Sequence, residues 1–372
     1  MSQPPQRPVD HSEGEPIRPA HAAPSSYSAQ AAQPPTPPVH PAGGGPVVAP
    51  APAPAPAPAV AQKPRRAPGR NGRLTWLQLI LGGVFFVLVE TATVIIALIL
   101  AVVFTGELPT KAVTSVSDFE PVPFLIAACL AAIAAIAGHV LIIGLVSGKR
   151  WQDLGLRGAI GEFAAGLGIG AALIAVATAG LAIVGAYRVS GFDPNPQLLM
   201  PLAIGIFAGV VEEVFFRGIL LRLIDGWLGS WAALAITSVL FGLVHTSNAG
   251  AGLFNAFVLV VEAGILLGAA YLLTRRLWLV IGIHVAWNAV QSGVFSFSVS
   301  GTGAQNGLLE ATTHGPDWLT GGAMGIEGSM ITLVVGLAAG VVMLVLAHRR
   351  GNIKGRDRRR DRPFLEPVQR PA

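Results

Sequence analysis

Residues 207 to 222 read FAGVVEEVFFRGILLR, an apolar run interrupted by two adjacent carboxylates, Glu212 and Glu213, and by Arg217. An ionisable group at membrane depth costs roughly 2.5–3.5 kcal/mol on insertion scales. Three such groups so close together need partners, and the default reading of the cluster is a functional site. Positions four apart share a helix face, so Glu213 and Arg217 form an ion pair in which each neutralises the other. Glu212 is turned about 100° away from Glu213 and faces a different neighbour. One carboxylate suffices for Arg217, so a purely structural pair leaves the second unexplained.

Two later apolar runs also carry polar groups at helical spacing. The stretch FGLVHTSN puts Phe241 and His245 on one face, and GIHVAWNAVQS puts His284 and Asn288 on one face. A lone histidine in a membrane helix is more often a hydrogen-bonded structural residue than a catalyst. Two histidines and an asparagine on separate helices, with a glutamate pair on a third, are harder to explain that way. At 1.5 Å rise per residue, Glu212 lies about 14–18 Å from the cytoplasmic end of its helix, His284 and Asn288 about 9–15 Å, and His245 about 18–22 Å. The depths agree to about two turns, with His245 the outlier.

The elements that must position these groups are transmembrane helices. The 372 residues are 52% hydrophobic and 12% charged, with a mean hydropathy of +0.60, a profile that excludes an ordinary soluble domain. Apolar runs at 75–104, 123–147, 159–187, 200–221, 232–248, 252–273, 278–297 and 329–348 predict an all-α, polytopic bundle of about eight transmembrane helices. The transmembrane bundle spans 74–348. Ahead of it, residues 1–73 are rich in Pro, Ala, Gln and Ser and include APAPAPAPAPA at 49–59. This stretch has no periodic apolar face and no apolar h-region, so it reads as a disordered cytoplasmic tail and not as a cleavable signal peptide. Residues 349–372 read as a basic cytoplasmic tail.

Basic residues cluster at 63–73, at Lys149, Arg150 and Arg157, at Arg222, at Arg275 and Arg276, and after residue 348. With eight spans, all of these fall on one side. The net charge of +5 then reflects positive-inside topology with both termini cytoplasmic, in the plasma membrane, and no nucleic-acid partner. Lys149–Arg157 reads as an amphipathic interfacial segment with Trp151 at the interface, and 298–328 as a long Gly- and Thr-rich extracytoplasmic loop. His139 and His348 read as interfacial; Glu90 and Glu262 have no evident partner in the sequence, and Glu262 reads as a protonated structural residue, with lining the cavity or pairing with Arg217 as the alternatives. The single cysteine, Cys129, excludes an intramolecular disulfide and cysteine metal sites.

Three motifs in order, EExxxR (Glu212, Glu213, Arg217), FxxxH (Phe241, His245) and HxxxN (His284, Asn288), resemble the CPBP family of intramembrane proteases. That family includes the type II CAAX prenyl endopeptidases and the bacterial Abi proteins. The similarity covers about 150–297, including LLGAAYLLTRRLWLVIGIH. The resemblance implies an endopeptidase that hydrolyses a peptide bond of a membrane-associated protein or peptide. Glu212 with His245 would position and deprotonate a water. His284 and Asn288 would donate to the oxyanion, and Glu213 and Arg217 would orient the site.

There is no HExxH zinc motif. Metal-free chemistry is the expectation, and a zinc ion held by Glu212, His245 and His284, with one position left for water, is the alternative. Two other classes compete with a protease. One is a non-proteolytic immunity or scaffold protein of the same family. The other is a proton-coupled transporter, for which internal repeats with broken helices would be expected and none is visible.

Overall fold

The computed structural model describes residues 71–107, 113, 115–147, 152–248, 252–303 and 306–355. Most of the Pro-rich tail, Lys149, Arg150, Trp151 and the chain after residue 355 lie outside the described residues.

Eight helices form the bundle: α1 (Asn71–Thr105), α2 (Pro121–Ser147), α3 (Ala159–Ile183), α4 (Leu199–Leu228), α5 (Ser230–Val244), α6 (Leu253–Thr274), α7 (Leu277–Gly293) and α8 (Met330–Arg349). Seven are long and apolar enough to cross a membrane. The remaining one, α7, has 17 residues. The polytopic helical fold expected from the apolar runs is borne out.

Helix α7 is the centre of the bundle. Two helices press on it through small-residue faces that let backbones approach closely. On α3, a Cβ at Gly166 would stand 2.3 Å from the Leu279 carbonyl oxygen, and one at Gly170 2.3 Å from that of Ile283. On α4, a Cβ at Gly205 would stand 2.7 Å from the Val285 carbonyl oxygen, and one at Gly209 2.5 Å from the Val285 side chain. The same device fastens α8 to α6, where Gly336 meets Glu262 and Gly340 meets Leu266. By contrast α1 exposes Ile80, Val84, Leu88, Ile99 and Val103, an apolar outer face suited to lipid.

One end of α7 is tied down by Arg276, which pairs with Glu162 at 2.9 Å and donates to the Arg157 carbonyl at 2.8 Å. Trp278 Nε1 donates to the Gly155 carbonyl at 2.9 Å. At the same end, Arg275 Nη1 donates to Asp225 Oδ2 at 2.7 Å, and Lys354 Nζ reaches the same oxygen at 2.9 Å. The Ser230 and Lys354 backbones exchange a hydrogen bond as well, so the segment following α8 is stapled across the α4–α5 turn.

A two-stranded pair accompanies the helices: β1 (Tyr187–Phe192) pairs antiparallel with β2 (Leu309–Thr313) in register Tyr187↔Thr313, with a bulge between Val189 and Gly191. The region 298–328 is accordingly structured, with a short helix at Asp317–Thr320 and single 3-10 turns at Gly322–Met324 and Ile326–Gly328. His139 is fully buried, and Asp153 turns inward to meet its Nε2 at 2.9 Å, so Asp153 and Leu154 of the expected interfacial segment pack into the bundle while Leu156 and Arg157 stay exposed.

Candidate active site

The EExxxR segment is not a regular α-helix. Within α4, Ala208–Glu212 and Val214–Leu221 are wound as π-helix, and Glu213 sits at the junction. A second π segment, Val260–Gly264 in α6, carries Glu262. Such bulges are frequent at functional sites because they aim side chains that a regular helix would stagger elsewhere.

Glu213 and Arg217 are buried to 0% and 1% exposure and pair at 2.8 Å, as the i,i+4 spacing requires. The same oxygen, Glu213 Oε1, lies 2.8 Å from His284 Nδ1. With the proton on Nδ1, the ring donates to Glu213 and its Nε2 edge is left for the cavity. Arg217 also stacks on Phe241, its guanidinium carbon 4.6 Å from the ring centroid. That ring lies 4.6 Å from the His245 ring and 6.2 Å from the His284 ring. Phe241 is thus the apolar hub on which the cation and both imidazoles rest, which accounts for an aromatic residue in FxxxH. His245 begins the 3-10 turn that ends α5, and its Nδ1 contacts the Phe241 carbonyl at 2.7 Å.

His245, His284 and Asn288 line one cavity together with Trp287, Glu262, Ser300 and Glu327. The cavity offers ≈ 20 Å³ to the centre of a water molecule, and roughly 10–15 Å³ is enough for one. Five of the six sequence-nominated residues are therefore connected, Glu213 and Arg217 as supports and His245, His284 and Asn288 in the wall.

Glu212 is the exception. It is half-buried, lies outside the cavity wall, and has one buried oxygen, Oε2, without a partner among the described residues. Its charge acts on His284, Arg217 and Glu90. No hydrogen bond joins it to His245 among the described residues, contrary to the expected dyad. Glu212, His245 and His284 are not grouped as a metal site: among the described residues no three His, Cys, Asp or Glu side chains stand together so as to hold a metal ion.

Sequence reasoning missed two wall residues and undervalued a third. Glu262 is fully buried, and among the described residues neither carboxylate oxygen makes a hydrogen bond of good geometry. An acidic residue in an apolar run was the available signal. Glu327 and Ser300 come from the loop between α7 and α8, and a Gly-dense stretch was their only trace in the sequence. Burial pushes the Glu327 carboxyl above its ordinary range, while hydrogen bonds from Ser300 and Gln291 and the nearby His245 draw it back.

A multi-pass helical membrane protein with a polar, carboxylate- and imidazole-lined cavity at its core is the class that fold and site define. Residues 194–290 match the family model Rce1-like, described as type II CAAX prenyl endopeptidase Rce1-like, which bears out the resemblance drawn from the three motifs. All six nominated residues fall inside the match, whereas Ser300 and Glu327 lie beyond it. The match supports an intramembrane endopeptidase as the general activity. No curated protein matches the chain.

Proposed function

We propose that this protein is an intramembrane endopeptidase that hydrolyses a peptide bond of a membrane-associated protein or peptide by glutamate-activated water. It resides in the plasma membrane with both termini cytoplasmic. The observation that carries the reading is the water-sized cavity walled by His245, His284 and Asn288 from two helices, with Glu213 fixing the His284 ring from a third.

A water in this cavity attacks the substrate carbonyl carbon and gives its proton to Glu212, the leading carboxylate of the motif. His284, protonated on both ring nitrogens with Glu213 as its counter-charge, and Asn288 donate to the resulting oxyanion from preorganised positions. The C–N bond then breaks and Glu212 returns the proton to the leaving amine. Because Glu212 stands outside the cavity wall, this sequence requires its carboxylate to turn inward when substrate binds. Arg217 holds Glu213 as the ion-pair partner, so Glu213 orients His284 and is not itself the base.

The test compares cleaved termini, by mass spectrometry, in membranes expressing wild type or Glu212→Ala at matched levels. Termini found only with the wild type are expected, and they name the substrate. Identical peptide maps from two folded, abundant proteins would remove proteolysis and favour the scaffold reading.

A further inference from the structure

The loop between α7 and α8, outside the family match, reaches into the cavity. Its Glu327 is 3% exposed and is held from two directions. Ser300 Oγ donates to its Oε1, and Gln291 Nε2 donates to its Oε2 at 3.3 Å. Those donors are themselves fixed, Gln291 Nε2 by the Ser298 carbonyl at 2.5 Å and the Ser300 backbone by Asn248 Nδ2 at 2.8 Å. Two residues before Glu327 the backbone passes through Gly325 at φ +94°, where a Cβ would stand 1.9 Å from the Ser298 carbonyl oxygen. Only glycine fits there, so a glycine-only turn brings this carboxylate to the cavity.

A buried carboxylate is costly unless it is paired and hydrogen-bonded. The charged and titratable groups that share the wall with Glu327 are His245 from the end of α5, His284 from α7 and Glu262 from α6. His284 already has Glu213, and Glu262 repels Glu327. His245 attracts Glu327, and Glu212, the carboxylate expected beside His245, is missing from the wall.

We propose that Glu327 is a positioning residue of the site, a carboxylate delivered by the α7–α8 loop that orients His245 across the cavity whose wall they share. This rests on the hydrolase reading for its catalytic consequence, but the placement of His245 can be read independently.

The experiment uses the full chain in micelles with ¹⁵N-labelled histidine, the His245 signals being assigned through His245→Asn. Glu327→Gln is expected to move the His245 ring signals, to leave those of exposed His314 in place, and to be partly reversed by Glu327→Asp. On a cleavage identified by the wild-type and Glu212→Ala comparison, Glu327→Gln is expected to lower kcat about tenfold or more, the scale on which an orienting partner is felt. KM is expected to stay near the wild-type value, because the loss falls on the transition state and not on substrate binding. Should Glu327→Gln fail to fold, Ser300→Ala and Gln291→Leu, which release the same carboxylate, are read in its place. Unmoved His245 signals in a folded variant, or an unchanged kcat, would overturn the proposal. If the wild type cleaves nothing, the hydrolase reading falls and the histidine spectra alone decide the positioning.

Discussion

At Arg217, three kinds of contact converge on a side chain that is 1% exposed: the ion pair to Glu213, the face of Phe241, and a 3.4 Å hydrogen bond to the Ala263 carbonyl. A lysine keeps the charge but loses the planar fork that makes these contacts at once. We expect Arg217→Lys to abolish activity, and Arg217→Leu, which leaves Glu213 buried without its cation, to destabilise the protein by about 3–5 kcal/mol. The comparison of cleaved termini reads the Lys variant, and thermal unfolding of the purified protein reads the Leu variant. A Leu variant as stable as wild type would show that Glu213 does not depend on this pair. Of these contacts, the sequence spacing revealed the ion pair, because i,i+4 geometry is a property of one helix. The Glu213–His284 bond spans 71 residues of chain, and no local pattern encodes it.

Among the helices, the apolar runs located most spans to within a few residues, 278–297 becoming Leu277–Gly293 and 329–348 becoming Met330–Arg349, while the fourth, read as 200–221, continues to Leu228. Hydropathy legibly sets helix ends because each unpaired backbone group in lipid is costly. Hydropathy did not reveal the π winding around Glu213. Nor did it reveal the strand pair, whose partners lie more than a hundred residues apart and alternate too weakly to announce themselves. The small-residue faces were present in the sequence as Gly166 with Gly170 and Gly205 with Gly209, and their spacing is the legible signal for close helix approach. Gly170→Ala is expected to destabilise the bundle by about 1–3 kcal/mol, since its Cβ meets a backbone carbonyl that cannot swing aside. Gly168→Ala, whose Cβ meets nothing within 4 Å, is expected to leave the unfolding midpoint unchanged. Equal midpoints for the two variants would contradict this packing.

For the molecule as a whole, the buried Asp153–His139 pair bears on stability against pH. Burial alone would raise the Asp153 carboxyl, but the hydrogen bond and charge of His139, with Arg222, outweigh it and hold it below the ordinary range. A carboxyl depressed in the folded state contributes stability above its unfolded value, about 3.9, and that contribution is lost as pH falls further. Wild type should therefore lose stability in acid below pH ~4 more steeply than Asp153→Asn, while the variant should be weaker at neutral pH because His139 is left buried without its anion. Unfolding midpoints collected over a pH series check both limbs, and parallel curves would refute the assignment.

The packing of α7 also divides the bundle into unequal halves. Backbone rests on backbone along α3 and α4, so the helix bearing His284 and Asn288 has no slack to slide or roll. The cavity it faces holds about one water, far less than a peptide segment needs. If the proposed hydrolysis holds, room for a substrate comes from the opposite wall, where the end of α5, the middle of α6 and the α7–α8 loop meet. The proposed oxyanion donors are thus mounted on the anvil, and the parts expected to yield to an incoming chain are those that carry His245 and Glu327.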